Sequence, residues 1–172
     1  MKRQQIISAA HSATAEVFST MLGLELASLS VYTDHASPSI NDGVMAFVGL
    51  AGPWMGQGII SCTAAFACRL CAGLLMTEAR GVSEEVLDAV GELANMIVGN
   101  FKTTAEAVAG PLSLSVPTVI YGRNFTCKSL ANKDWIVMPF RCEEDTFEIR
   151  IWFAPAAESL VSRHIVNQLQ AV

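Results

Sequence analysis

The chain predicts an α+β fold in which an antiparallel sheet layer is covered by helices, built as two pseudo-repeated halves of helix, three strands and helix. Three observations carry this expectation. The 172 residues are 52% hydrophobic and 16% charged, the composition of one globular domain spanning 1–172, which excludes intrinsic disorder. Strand-like runs come in groups flanked by helical stretches instead of alternating with them, which argues against a parallel βαβ sheet. The order helix, three strands, helix occurs twice, as a repeat of pattern and not of letters.

Taken in order, Gln4 to Leu22 reads as an amphipathic helix with Ile7, Ala10, Val17 and Met21 at helical spacing and Gly23 as its stop. Leu24 to Tyr32 reads as a strand, Asp34 to Asp42 as a loop, and Val44 to Leu50 as a second strand. Gly52-Pro53 turns the chain into Trp54 to Cys62, where Trp54, Gly56, Gly58 and Ile60 share one face. Thr63 caps a second helix to about Met76. Gly81-Val82-Ser83 opens a long third one with Glu84 and Glu85 in its first turn, and Gly110-Pro111 ends it. Three further strands follow, Thr118 to Phe125, Trp135 to Cys142 and Phe147 to Phe153, the last two joined through Glu143-Glu144-Asp145. Pro155 to Leu169 reads as a final helix with Leu160, Val161, His164, Ile165 and Leu169 on its apolar side.

Composition also narrows the function. A formal net charge of -5, with no run of Lys or Arg, excludes a nucleic-acid partner. Val44 to Cys68 holds no charged residue and is long enough to span a bilayer, but its glycines and Pro53 divide it into strand, turn, strand and helix start. The polar N-terminus lacks the apolar core of a signal peptide, so a cytoplasmic location is expected. Five cysteines, an odd number, suit reduced thiols. Cys68-Arg69-Leu70-Cys71 raises a redox site or half a zinc site; with no second Cys pair and no His pair at ligand spacing, small buried side chains are the simpler reading. His11, His35 and His164 are scattered and no Ser/His/Asp order stands out.

The third helix is the informative segment. Wound at about 100° per residue, Val86, Val90, Leu93, Ile97 and Phe101 form a buried stripe, and Asp88, Glu92, Asn95, Gly99 and Lys102 gather roughly opposite. Glu92 and Asn95, three apart, point the same way and can both touch one small target. Gly91 and Gly99 lie one turn on either side of Asn95, each at a cost of roughly 1 kcal/mol against Ala, and bare backbone there lets another surface approach. An ordinary solvated face with glycines for helix packing accounts for the same spacing.

The string Gly91-Glu92-Leu93-Ala94-Asn95-Met96-Ile97-Val98-Gly99-Asn100, with its Glu-x-x-Asn core, resembles the signature of the CheC/CheX/FliY chemotaxis phosphatases. Leu22-Gly23-Leu24-Glu25, Gly49-Leu50-Ala51-Gly52 with Gly56 to Ile60, and Pro117 to Arg123 are similar to the CheX branch. Members with two active helices carry a second Glu-x-x-Asn on the first helix; here that segment is Glu16-Val17-Phe18-Ser19, so the resemblance implies one working site per chain. It implies as substrate the phosphoaspartate of a CheY-type receiver domain, with Mg²⁺ supplied by that partner and no cofactor of the chain's own. Asn95 then positions the attacking water and Glu92 pairs with the receiver lysine. Asp88, Gly91 and Gly99 are assigned to the docking face. A homodimer is expected from the same kinship. The competing reading is a non-catalytic adaptor that docks a receiver or a flagellar switch component on the same helix face.

Overall fold

Helix α1 (Arg3–Val17) is entered through Lys2, whose backbone N–H donates to Gln5 Oε1 at 2.7 Å, and continues through a π turn, Phe18–Leu22, to Gly23, where a φ of 66° ends it. The computed structural model describes residues 1–36, 39–126 and 134–157. Its strands are β1 (Ala27–Ser28), β2 (Tyr32–Asp34), β3 (Ser39–Ala51), β4 (Trp54–Thr63), β5 (Ser113–Leu114), β6 (Thr118–Thr126), β7 (Trp135–Cys142) and β8 (Asp145–Pro155). Helices α2 (Ala64–Leu75) and α3 (Glu84–Ala109) sit between β4 and β5. The α+β class, the antiparallel sheet and the helical cover are as expected.

All eight described strands join one sheet, every pair antiparallel. The pairing follows a two-fold rule. Hairpins β3–β4 and β7–β8 meet at a β4–β8 seam, Trp54↔Pro155 through Cys62↔Phe147. The first two strands of each half cross to the other half: β1 and β2 pair with β7, and β5 and β6 with β3. Exchanging each strand with its counterpart four places on reproduces the sheet, so the duplication of pattern is one of architecture.

Strand alternation divides the sheet residues between two faces. Val44, Ala46, Val48, Ile60, Ile149 and Ile151 join the main core beneath the helices, with Ala10, Val17, Phe18, Phe66, Leu93 and Phe101. The opposite face carries a smaller cluster of Met45, Ile59, Trp135 and Val137. The glycines of β4 lie on the helix side: a Cβ on Gly58 would stand 2.4 Å from Val98 Cγ2, so α3 seats on bare strand backbone.

Three expectations change. The α1 stripe is Ile6, Ala9, Ala10, Ala13 and Val17; Ile7 is half-buried and Met21 is 43% exposed beyond the π turn, which rotates the helix end. The predicted strand 24–32 is two strands, because its ladder with β7 meets Pro139, which has no N–H to donate and only accepts from Leu29 N at 3.0 Å. Each half thus has four strands, β1 and β5 being two residues long. The predicted loop 34–42 is strand from Ser39, since pairing with β6 and the Arg123–Asp42 ion pair at 3.3 Å outweigh the turn propensities of Asn41 and Asp42. Of the predicted helix 155–169, residues beyond 157, His164 among them, lie outside the described residues, as does Cys127. Val44 to Cys68 is divided among β3, β4 and α2, and no described helix is long and apolar enough to cross a membrane.

Candidate active site on helix α3

Helix α3 begins at Ser83, whose Oγ accepts from Val86 N at 3.5 Å, with Glu84 and Glu85 against the positive end of the dipole. It ends at Gly110, where φ is 76°. Between the caps, Val86, Val90, Leu93, Ile97 and Phe101 are each at most 1% exposed, the stripe expected from periodicity. Burying these five side chains sets the rotation of the helix and so fixes what its far side presents.

That far side carries Asp88 and Glu92, both exposed, and Asn95, half-buried. Glu92 and Asn95 make no hydrogen bond or ion pair with any described residue. Their neighbours along the helix are engaged. Asn100 Nδ2 donates to Glu16 Oε2 at 3.4 Å, tying α3 to α1. Lys102 Nζ pairs with Glu106 Oε1 at 2.9 Å, and the same carboxylate accepts from Leu112 N at 2.8 Å. The lysine and that N–H hold the Glu106 carboxyl below the usual carboxylate range. Among the described residues, the structure therefore leaves this carboxylate and carboxamide without a partner.

The glycines differ from expectation. Gly91 is buried: a Cβ there would lie 3.1 Å from Val119 Cγ2 and 3.6 Å from Pro117 Cβ. A Cβ on Gly99 would lie 3.8 Å from Leu114 Cδ1. The close approach predicted for a foreign surface at Gly91 is made by the chain's own β5–β6 connection, because two turns of bare helix flank let that connection lie against α3. This connection is what sequence reasoning missed. Its signal was Pro117, next to the strand that packs on α3.

On the first helix, Glu16 and Ser19 are spent internally. Glu16 accepts from Asn100, while Ser19 Oγ and Thr20 Oγ1 donate to the Glu16 carbonyl at 3.1 and 2.7 Å. The described thiols offer no competing site. Cys71 is 1% exposed, its Sγ 3.7 Å from the Glu85 carbonyl oxygen, and burial pushes its pKa up; burial pushes Cys62 up to about 12. With Cys71 buried and its proton held at neutral pH, Cys68 and Cys71 do not form the exposed, acidic pair a redox reading requires. Among the described residues no three His, Cys, Asp or Glu side chains converge as metal ligands.

Two helix–sheet halves sharing one antiparallel sheet, with a polar ridge on the second long helix, define the CheC-like class of fold. A CheC-like superfamily protein from Shewanella sp. PV-4 superposes with a TM-score of 0.78 at 26% identity, over 90% of this chain and 99% of that one. The model of the family described as chemotaxis phosphatase CheX matches residues 44–141, which include Glu92 and Asn95. The chain belongs to the CheX family. CheX of Borrelia burgdorferi, solved in a CheX–CheY–BeF₃–Mg²⁺ complex, is 25% identical with a TM-score of 0.69, over 86% of this chain and 97% of that one. CheX from Desulfovibrio desulfuricans has the same fold at 24% identity, with a TM-score of 0.78 over 87% and 99%. No curated protein matches the chain in sequence.

Proposed function

We propose that this protein hydrolyses the phosphoaspartate of a CheY-type receiver domain, with Asn95 and Glu92 inserted into the receiver's phosphorylation pocket. The observation that carries this reading is that both side chains project from the outer face of α3 without a partner among the described residues. The Borrelia relative, solved with CheY, BeF₃ and Mg²⁺, supports the class of partner.

An acyl phosphate on a receiver that holds its own Mg²⁺ needs little chemistry from outside. The Asn95 carboxamide, donor and acceptor at once, holds a water in line with phosphorus. The water oxygen bonds to phosphorus as the bond to the aspartyl oxygen breaks, releasing inorganic phosphate and returning the carboxylate. Glu92, one turn away, accepts a charge-assisted hydrogen bond from the receiver lysine and fixes the docking register. Asp88, exposed a further turn toward the N-terminus, extends the acidic face. A hundredfold acceleration over spontaneous decay corresponds to about 2.7 kcal/mol, within reach of positioning alone. The reading includes a homodimer in the cytoplasm.

The test mixes the protein with phosphorylated receivers encoded in the same genome and follows phosphate loss. Accelerated decay of at least one receiver is expected. Binding with an unchanged decay rate would make the protein an adaptor for a receiver or a flagellar switch component, and sink the enzymatic reading.

A further inference from the structure

We propose that Val116, on the β5–β6 connection beside Asn95, is the second contact of the receiver, an apolar rim residue that sets how the partner seats on α3. The inference rests on the receiver-phosphatase reading and adds to it a residue outside the Glu-x-x-Asn helix.

Strand β5 leaves the β3 edge after Leu50↔Leu114 and β6 joins it at Phe47↔Thr118, so Ser115, Val116 and Pro117 bridge the gap. They lie along one flank of α3. Leu114 stands against Gly99, and Pro117 against Gly91, which puts the intervening residues beside the turn that holds Asn95. Their backbone is pinned. Ser115 N donates to the Gly49 carbonyl at 3.0 Å, Gly49 N donates to Ser115 Oγ at 2.8 Å, and that hydroxyl donates to the Val116 carbonyl at 2.9 Å.

With Ser115 turned toward the sheet edge, the Val116 side chain stands out, 83% exposed. A single exposed valine is unremarkable on most surfaces. Here it is held on a rigid connection next to a carboxamide that acts only when inserted into another protein, so a partner seated on Asn95 covers Val116 as well. Fixed backbone means the contact forms without ordering a loop. An apolar side chain beside an acidic ridge also adds shape discrimination that charge alone does not supply.

The test is Val116→Ser, with Val108→Ser as a control, since Val108 is 55% exposed on the same helix as Asn95 but 13 residues, or roughly 20 Å, further along it. The probe is a CheY-type receiver from the same genome, loaded with Mg²⁺ and beryllofluoride for binding and phosphorylated for turnover. Val116→Ser is expected to raise Kd and KM about tenfold with kcat unchanged, and Val108→Ser to change neither. Wild-type Kd in Val116→Ser, or a loss confined to kcat, overturns the rim contact while leaving the phosphatase reading intact. A wild-type protein that neither binds nor accelerates any receiver overturns both.

Discussion

The two halves share a strand plan and differ in how their long helices use polar groups. Both α1 and α3 end at a glycine of positive φ, Gly23 and Gly110, and both feed a pair of strands that cross to the other half. Counted back from those glycines, the first-half positions that match Glu92 and Asn95 are Gln5 and Ser8, and not the Glu16 and Ser19 to which the family resemblance pointed. Gln5 closes the N-terminal cap of its own helix. Where Gly91 and Gly99 let the β5–β6 connection lie against α3, the same count places Gln4 and Ser12 on α1, and β1 is reached through a His11–Ser28 side-chain hydrogen bond. On the first helix Gln5, His11, Thr14 and Glu16 bond within the chain and serve the scaffold. On α3, Glu92 and Asn95 have no partner among the described residues, at a surface where water makes this inexpensive, and so stay available to a partner protein.

This contrast breaks most sharply at Asn95. Asn95→Ala is expected to abolish stimulated phosphate release, a loss of about a hundredfold, with receiver binding largely retained. Labelled phosphate release and titration against a beryllofluoride-loaded receiver separate the two terms, and activity persisting in the variant would refute the water-positioning role. A smaller effect, on stability, should follow at Gly58, where the second half's helix rests on the first half's strand. A Cβ there would fall 2.4 Å from Val98 Cγ2, with Cγ1 at 3.5 Å, so the stiff β-branched side chain has little room to turn away. Gly58→Ala is expected to destabilise the fold by about 1–3 kcal/mol, read by denaturant unfolding, and Val98→Ala in the same chain to recover part of it. An unchanged midpoint would mean that the helix floats on the sheet.

Much of this contrast was legible in the letters. The α3 caps at Ser83 and Gly110, its buried stripe and the Glu92–Asn95 face follow from local rules, since a 26-residue amphipathic helix with strong caps leaves few rotations open. Periodicity found those residues, and the family resemblance supplied their assignment. Crossed pairing was not legible: that β1 and β2 cross to β7 while β5 and β6 cross to β3 depends on contacts far apart in sequence. For the same reason Gly91 was misassigned. A glycine announces a close approach but does not name the partner, and here that partner is the chain's own Pro117 and Val119. The break of the first strand at Pro139 was hidden because the proline lies on the neighbouring strand, more than a hundred residues away.

The smallest expected effect is the most discriminating. If a working site needed only a carboxylate and a carboxamide three apart on an exposed helix, Gln5→Glu with Ser8→Asn would build a second one on α1, because both positions are exposed. We expect no stimulated phosphate release from that double variant in an Asn95→Ala background. The new side chains would stand on a helix whose flank carries Gln4 and Ser12 where α3 has glycine, next to strands tied to α1 by the Arg3–Thr33 and His11–Ser28 hydrogen bonds, and the carboxylate at position 5 would be drawn to the Lys2 N–H from which Gln5 now accepts. Recovery of activity above the Asn95→Ala level would show that the helix ridge suffices and that the flanking connection adds nothing. Continued inactivity, with wild-type thermal stability, would place the difference between the halves in the surroundings of the pair as much as in the pair itself.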